Sequence, residues 1–131
     1  MSDVFTGTTT ANLVWSSDVS VGIRLDDGKV RLDLIPPEWI WALGQVLTSG
    51  AAKYAERNWE LGMKWGRVIG PLLRHTMKFI CGERYDPETG NHHMAMAAWN
   101  CLALMSYDLR KIGEDDRAKL SPEILKETKN G

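Results

Sequence analysis

The chain has 131 residues, 44% of them hydrophobic and 25% charged, a balance typical of one globular domain with a single core. Its formal net charge of -1 lacks the basic surplus of a nucleic-acid-binding surface, so we expect no direct nucleic-acid binding. The polar N-terminus and the lack of an apolar run of about 18 residues argue against a signal peptide and a membrane span, so we expect a cytoplasmic protein.

The first 35 residues differ in composition from the rest of the chain. Residues 1–20 are rich in Thr and Ser and have no helical period, which predicts an arm that is loosely ordered or lies on a neighbour. Residues 21–35 place the turn sequence DDG between short alternating runs, which predicts a small hairpin. We therefore divide the chain into an N-terminal arm with this hairpin (1–35) and a helical domain (36–131).

Two helices are predicted next. Pro36-Pro37 favours a helix start, and apolar residues at three- and four-residue spacing continue the first helix over about 37–56. The second helix is predicted over about 65–81, where Pro71 should either kink the helix or mark its true start.

The third helix should start near Asn91, a good N-cap, and run to about Ile112. It is apolar on almost all sides from Met94 to Tyr107, as expected of a central buried helix. A short charged helix at about 121–128 ends the chain. The predicted fold is all-α: a bundle of three main helices completed by oligomerisation, because three helices are too few to close a large core.

Tryptophan and cysteine positions add two expectations about packing. Trp39 and Trp41 are two positions apart on the first helix and cannot both face one core, so one should face a partner subunit or a ligand. Cys81 and Cys101 lie in apolar helical contexts, which predicts buried free thiols. A homo-oligomer is the expected assembly.

All three histidines of the chain lie between Arg74 and His93, in the sequence RHTMKFICGERYDPETGNHH. The loop in this stretch also carries three acidic residues: Glu83, Asp86 and Glu88. His75 lies on an apolar stripe of the second helix, and His93 shares one face of the third helix with Asn100. Such polar groups need partners, because burying one unpaired costs roughly 1–3 kcal/mol.

Clustered carboxylates repel one another unless a cation holds them, and hard oxygen ligands favour Mg²⁺ or Mn²⁺. Nearby cations could then hold phosphate oxygens, namely Arg74, Lys53 and Arg84. The chemistry that this arrangement predicts is metal-assisted hydrolysis of a phosphoanhydride.

Other interpretations of the same residues stay open. Glu83 and Glu88 are equally consistent with solvated loop residues, and Asp86-Pro87 is a common turn start. A histidine on an apolar stripe, such as His75, is more often a satisfied core residue than a ligand. Arg74 could simply pair with a nearby carboxylate. The chain has no Gly-rich phosphate loop and no His-x-x-x-His or Cys-x-x-Cys motif.

Three segments taken together resemble the phage and bacterial dATP/dGTP diphosphohydrolase N-terminal-domain family. They read KVRLDLIPPE (29–38), GAAKYAERNWELG (50–62) and RHTMKFICGERYDPETGNHHMAMAAWN (74–100). The resemblance implies hydrolysis of purine deoxynucleoside triphosphates to monophosphate and pyrophosphate. It also implies kinship with the MazG-like pyrophosphohydrolases, which are all-α, oligomeric and Mg²⁺-dependent, and a location in the host cytoplasm if the gene is a phage gene.

The resemblance also implies roles for particular residues. Glu83 and Asp86 fit the ExxD metal pattern of the MazG-like enzymes. In the enzyme hypothesis that we build on this resemblance, Glu88 or Glu38 assists these two ligands, and His75 or His93 assists proton transfer or orients the loop. The implied substrate-binding residues are Lys53, Tyr54, Asn58, Trp59, Arg74 and Asn100. On physical grounds, Tyr54 or Trp59 can stack on a base, and Asn58 or Asn100 can hydrogen-bond its edge.

The ExxE element that accompanies ExxD in the MazG-like enzymes has no clear counterpart upstream, where the first helix offers Glu38 alone. This absence favours a second hypothesis, a binding protein of the same fold that sequesters a nucleotide signal without cleaving it or interacts with a host protein. A third hypothesis is a structural protein whose acidic loop is merely a turn.

Overall fold

The structure, a computed structural model, describes residues 21–127, and the predicted arm of residues 1–20 lies outside them. The described residues form four α-helices and no β-strand, so the all-α prediction is confirmed. The helices are α1 (Pro37–Lys53), α2 (Gly66–Ile80), α3 (His93–Arg110) and α4 (Pro122–Glu127). Short 3-10 turns lie at Leu32–Leu34 and Asn58–Leu61. The chain divides into two compact units, the first ending at Leu34 and the second beginning at Ile35.

The part of the first unit that the structure describes contains the predicted turn but not the predicted hairpin. The Lys29 N–H donates to the Asp26 carbonyl over 3.1 Å, and Gly28 takes a positive φ of 76° in this turn. The flanking residues do not pair as strands, so the hairpin interpretation of residues 21–35 is wrong. A lone two-stranded hairpin is marginally stable, and nothing in the pattern required its flanks to pair.

The segment that follows α3 supplies hydrogen-bond acceptors to the backbone N–H groups at the start of α2. The Trp65 N–H donates to the Glu114 carbonyl over 2.9 Å, and the Gly66 N–H donates to Asp116 Oδ1 over 2.7 Å. Gly113 has a positive φ of 76°, and a Cβ there would collide with the Met63 carbonyl oxygen. The close approach of these two segments therefore requires glycine. Because α2 begins at Gly66 and continues through Pro71, the interpretation of Pro71 as its start is wrong.

The N-cap of α3 is His92 rather than Asn91. The Met94 N–H donates to His92 Nδ1 over 3.0 Å, which caps the helix. Asn91 has a different function in the fold, because its Nδ2 donates to Ser49 Oγ over 3.1 Å and ties the loop to α1. The predicted N-cap was one residue early, since histidine can supply the capping acceptor through Nδ1.

The third helix, α3, packs against both α1 and α2, as a central helix should. One of its faces is buried and carries His93, Ala97, Asn100, Ala103 and Tyr107. The opposite face is exposed and includes Leu102, Met105 and Leu109. The expectation that α3 is buried on all sides is therefore wrong within one chain.

The core itself is small. It centres on Val68, Ala103 and Tyr107, with partly buried residues around them. Trp39 and Trp41 are 61% and 74% exposed, so neither faces this core, and oligomerisation that would cover them stays a prediction.

The cysteine prediction is wrong in one respect. Cys81 and Cys101 are free, as expected, but both are exposed. Cys81 follows the last residue of α2, and Cys101 lies beside Leu102 on the outer face of α3.

Among the residues from 21 to 127, no helix has the length and hydropathy needed to cross a membrane.

Candidate functional site

A cleft of about 810 Å³ opens within the helical unit, with walls from α1, α2 and α3. The last two turns of α1 and the residues that follow it form one wall, and the polar face of α2 forms another. The loop after α2 and the first turns of α3 complete the lining. The cleft therefore brings together the segments that carry the sequence motifs.

The structure places most of the predicted site residues in this cleft. All six predicted substrate-binding residues line it: Lys53, Tyr54, Asn58, Trp59, Arg74 and Asn100. His75, Asp86 and Glu88 also line it. Three predicted residues do not line the cleft: Glu83, His93 and Glu38. Of these, Glu83 and His93 are connected to the cleft by the hydrogen bonds that link them to His75. The roles assigned to these residues stay predictions.

A chain of hydrogen bonds runs from the cleft to the loop through two histidines. His75 Nδ1 lies 2.8 Å from His93 Nδ1, and His93 Nε2 lies 2.7 Å from Glu83 Oε1. His93 is completely buried, so both of its ring nitrogens depend on these partners. His75 is thus a satisfied histidine, and it also lines the cleft.

These two hydrogen bonds fix the tautomers of His75 and His93 when both side chains are neutral. A carboxylate only accepts, so Glu83 requires a proton on His93 Nε2. The Nδ1 of a neutral His93 is then an acceptor, and His75 must donate from its own Nδ1. The remaining nitrogen of His75, Nε2, consequently carries a lone pair and can accept a proton.

The pKa of His75 is lowered from its ordinary value. Burial is the main cause, because it disfavours the charged imidazolium, and the nearby His93, Lys78 and Arg74 act in the same direction. Asp86 opposes them only in part. The neutral, proton-accepting form of His75 is therefore favoured near pH 7.

Asp86 is a buried carboxylate that organises the loop. Its Oδ1 accepts from the Glu88 N–H over 3.2 Å and its Oδ2 accepts from Thr89 Oγ1 over 3.0 Å. Burial alone would raise the pKa of Asp86, but these two hydrogen bonds and the nearby His75 and His93 outweigh burial and lower it. Asp86 is therefore both the turn start that the sequence allowed and an anion on the wall of the cleft.

The other two loop carboxylates have different partners. Glu83 bonds to His93, as described above, and Glu88 Oε1 lies 3.4 Å from Lys53 Nζ. Both members of the Lys53–Glu88 pair are largely exposed, so the pair contributes little to stability. Side-chain hydrogen bonding to Tyr54, and then to Glu88, raises the pKa of Lys53. Lys53 thus carries its positive charge at the edge of the cleft.

Cations on α2 face the cleft. Arg67, Arg74 and Lys78 line it, and in residues 21–127 none of the three forms an ion pair. The interpretation of Arg74 as a partner of a nearby carboxylate is therefore wrong within this part of the chain. Arg84 does not line the cleft, which removes it from the phosphate-binding set that the sequence suggested.

Trp59 is held in place by the core. Its ring lies edge-on to Trp99 at 6.1 Å and is tilted against Tyr107 at 6.0 Å, while the Arg110 guanidinium lies 5.6 Å from the ring centre. The Tyr107 hydroxyl donates to the Trp59 carbonyl over 2.6 Å, and burial raises the pKa of that hydroxyl. Core contacts thus fix Trp59 in the wall of the cleft, whereas Tyr54 is 65% exposed and has Lys53 Nζ 5.4 Å from its ring centre.

The carboxylates do not form a metal cage by themselves. In the described part of the chain, no three His, Cys, Asp or Glu side chains come together as a set that could hold a metal ion. Asp86 and Glu88 nevertheless line the cleft, and protein-bound Mg²⁺ commonly uses one or two carboxylates together with substrate phosphates. These residues fit an ion that enters with a phosphorylated ligand.

Several lining residues were missed by the sequence reasoning. They are Ser49, Gly50, Arg57, Arg67, Gly70, Lys78, Asn91, Met96 and Trp99. The sequence did indicate two of them, Arg67 and Lys78. They lie seven positions before and four positions after Arg74, and so share its face of the helix. Ser49 and Asn91 join the site through a contact between distant segments, which no local pattern reveals.

Comparison with known proteins gives two matches. The family described as dATP/dGTP diphosphohydrolase, N-terminal, matches residues 21–117. A protein of Salmonella phage PMBT28 named dATP/dGTP diphosphohydrolase is 34% identical over 96 residues, which cover 73% of this chain and 33% of that protein. The aligned part thus spans about a third of the relative's length. No solved structure matches the chain.

Proposed function

Since the chain belongs to the dATP/dGTP diphosphohydrolase N-terminal family, we propose that it binds a purine (deoxy)nucleoside triphosphate in the cleft and hydrolyses it to monophosphate and pyrophosphate. The observation that carries this proposal is the group of cations on one face of α2. Three cations without ion pairs among the described residues line a cleft that also contains a neutral histidine and a buried carboxylate.

The cations suit a triphosphate. Arg67, Arg74 and Lys78 lie along one face of α2, and Lys53 adds a charge from the end of α1. Hydrogen bonds between such cations and phosphate oxygens are charge-assisted and stronger than neutral ones. A ligand of high negative charge would satisfy several of these cations at once.

His75 is the group proposed to accept the proton of the attacking water. Attack on the α-phosphorus forms a new P–O bond, breaks the bond to the bridging oxygen and releases pyrophosphate. The water must lose a proton in this step, and His75 Nε2 carries the lone pair that can take it. Glu83 and His93 would position His75 by fixing its tautomer.

Mg²⁺ or Mn²⁺ completes the proposal. When bound, the ion would neutralise negative charge on the phosphates and on the departing pyrophosphate. Asp86 and Glu88 would hold it together with phosphate oxygens, while Glu83 is engaged with His93 and Glu38 lies outside the cleft. The homo-oligomer and a location in the host cytoplasm also belong to this proposal.

The test is product analysis. The purified chain is incubated with each of the eight common NTPs and dNTPs plus Mg²⁺ or Mn²⁺, and the products are separated by chromatography. We expect monophosphate and pyrophosphate, preferentially from dGTP or dATP. Release of orthophosphate, or no turnover with any nucleotide and either metal, would contradict the proposed hydrolysis.

A second candidate is a binding protein that sequesters the nucleotide without cleaving it. It is favoured by the lack of a three-ligand metal set among residues 21–127 and by the partners already held by Glu83 and Glu88. The two candidates differ in one result: a sequestering protein returns the nucleotide intact after long incubation. Both require binding, which at a ligand concentration of about 100 times Kd should stabilise the fold by about 2.7 kcal/mol.

A further inference from the structure

Asn100 presents an unused hydrogen-bond acceptor to the cleft. The residue is only 4% exposed and lies on the buried face of α3. Its Nδ2 donates to the Met96 carbonyl over 2.8 Å, and only the amide nitrogen can donate to a carbonyl, so this bond fixes the direction of the amide. Asn100 Oδ1 has no hydrogen-bond partner among the described residues.

This oxygen must reach the surface of the cleft. Every fully enclosed side-chain nitrogen or oxygen in the described part of the chain has a partner. Asn100 Oδ1 has none there, so it is in contact with the open space that Asn100 lines. A nearly buried acceptor without a partner favours a ligand that brings a donor to it.

Apolar side chains line the same cleft as Asn100, among them Val68, Met96 and Trp99. Met96 supplies the carbonyl to which Asn100 Nδ2 donates, and Trp99 precedes Asn100 on α3. Gly50, on α1, also lines the cleft, and open space surrounds the position that a Cβ would take there. This combination suits a flat aromatic ring with one polar edge better than it suits a phosphate.

We propose that Asn100 Oδ1 accepts a hydrogen bond from the exocyclic amino group of the bound purine. This inference rests on the proposed function, because it assumes that the ligand is a nucleotide. Guanine carries such a group at C2, and this is the contact that the tests below address. Asn91 also lines the cleft, but its backbone carbonyl accepts a hydrogen bond from the Asp86 N–H, which places it beside the charged groups of the loop. We therefore assign Asn91 no base contact.

The first test compares ligands on the intact chain. Binding is measured by calorimetric titration with EDTA present, using dGTP, dITP (which lacks the 2-amino group) and 2′,3′-dideoxy-GTP (which lacks the 3′-hydroxyl). We expect dITP to bind roughly tenfold more weakly than dGTP, and dideoxy-GTP to bind as dGTP does. Equal binding of dGTP and dITP would overturn the inference. A loss confined to dideoxy-GTP would overturn it too, by assigning the donor to the sugar.

The second test uses Asn100→Leu, an apolar residue of similar size. We expect dGTP to lose roughly tenfold in affinity and dITP to keep its affinity, so that the preference disappears. A merely structural role would weaken both ligands equally, and that result would overturn the inference. Circular dichroism and thermal unfolding establish that the variant folds. If it does not, the comparison of ligands on the wild-type chain still decides.

The two proposals fail in different ways. Absence of binding by every nucleotide, both with EDTA and with Mg²⁺ present, would contradict the proposed function itself. Binding of dGTP and dITP with equal affinity would leave that function standing and remove only the amino-group contact.

Discussion

The cleft side of α3 and its outer side have opposite chemistry. Toward the cleft, the helix buries polar groups, His93 and Asn100, and each makes a defined hydrogen bond. On the outer side it exposes large apolar residues, among them Met105 at 52% and Leu109 at 72%. The buried face of this helix thus includes polar groups, while its outer face includes large apolar ones. Buried polar groups are costly unless they are paired, so they mark the side where specific chemistry is expected.

The arginines of the described residues also differ in their partners. Arg31, Arg110 and Arg117, outside the cleft, form ion pairs with nearby carboxylates, and so does Arg57, which lines the cleft. Arg67 and Arg74, which line the cleft, form none among residues 21–127. Cations kept together without anionic partners repel one another, and a bound polyanion would relieve that repulsion. If the account is right, substitutions on the cleft side should change function, and matched substitutions elsewhere should not.

The largest expected effect is that of Asp86→Asn. We expect turnover to fall by at least about a hundredfold, because the proposed metal loses its buried anionic ligand. The fold should persist, since the new amide oxygen can still accept from the Glu88 N–H. Initial rates of pyrophosphate release measure the effect. Asp115→Asn is the control, because Asp115 does not line the cleft, and unchanged turnover by Asp86→Asn would refute the role of Asp86.

A smaller loss is expected for Arg74→Gln. Removing one charge-assisted contact with a phosphate should weaken nucleotide binding roughly ten- to a hundredfold, since such hydrogen bonds contribute about 1.5–3 kcal/mol. Calorimetric titration gives the dissociation constant. Arg117→Gln, which removes a cation outside the cleft, should bind nucleotide as the wild type does. Equal weakening in both variants would mean that only the overall charge matters.

Two glycines of α1 provide a matched pair. Gly44 and Gly50 both lie inside the helix with no atom within 4 Å of an added Cβ, but only Gly50 lines the cleft. Alanine at either position should stabilise the fold by about 0.5–1 kcal/mol, because glycine weakens a helix interior. Only Gly50→Ala should also lower nucleotide affinity, by narrowing the cleft. Thermal unfolding and titration of both variants measure the two effects. The same affinity in both variants would show that the ligand does not approach Gly50.

The smallest expected effect concerns pH. The pKa of His75 is lower in the folded state than its ordinary value of 6.5, chiefly because of burial. The unfolded chain therefore binds a proton more readily, and the free energy of unfolding should decrease as the pH falls below about 6.5. Denaturant titrations at pH 7.5, 6.5 and 5.5 measure this slope for the wild type and for His75→Gln. The variant should show a shallower decrease, and identical slopes would argue against burial of a neutral His75.

Local sequence patterns predicted the helices, and most of the predicted site residues line the cleft. The spacing of apolar residues located α1, α2 and α3, with ends displaced by up to three residues, because local pattern does not specify where capping contacts form. The motif residues Lys53, Asn58, Arg74 and Asn100 all line the cleft.

What the sequence did not reveal depends on contacts between distant segments. The His75–His93–Glu83 chain joins α2, α3 and the loop, and the Asn91–Ser49 bond joins the loop to α1. The exposure of Cys101 followed from the side of α3 that has no neighbouring helix in one chain. An almost uniformly apolar helix carries no pattern that indicates that side.

The measurement that tests the central claim most directly is hydrolysis of dGTP by the intact chain in ¹⁸O-labelled water with Mg²⁺, with the products examined by mass spectrometry. The account predicts dGMP and pyrophosphate, with one labelled oxygen in dGMP, because water attacks the α-phosphorus. Label in the pyrophosphate would place the attack at the β-phosphorus and contradict the proposed reaction. Recovery of intact dGTP would contradict it as well, and would favour the protein that sequesters the nucleotide.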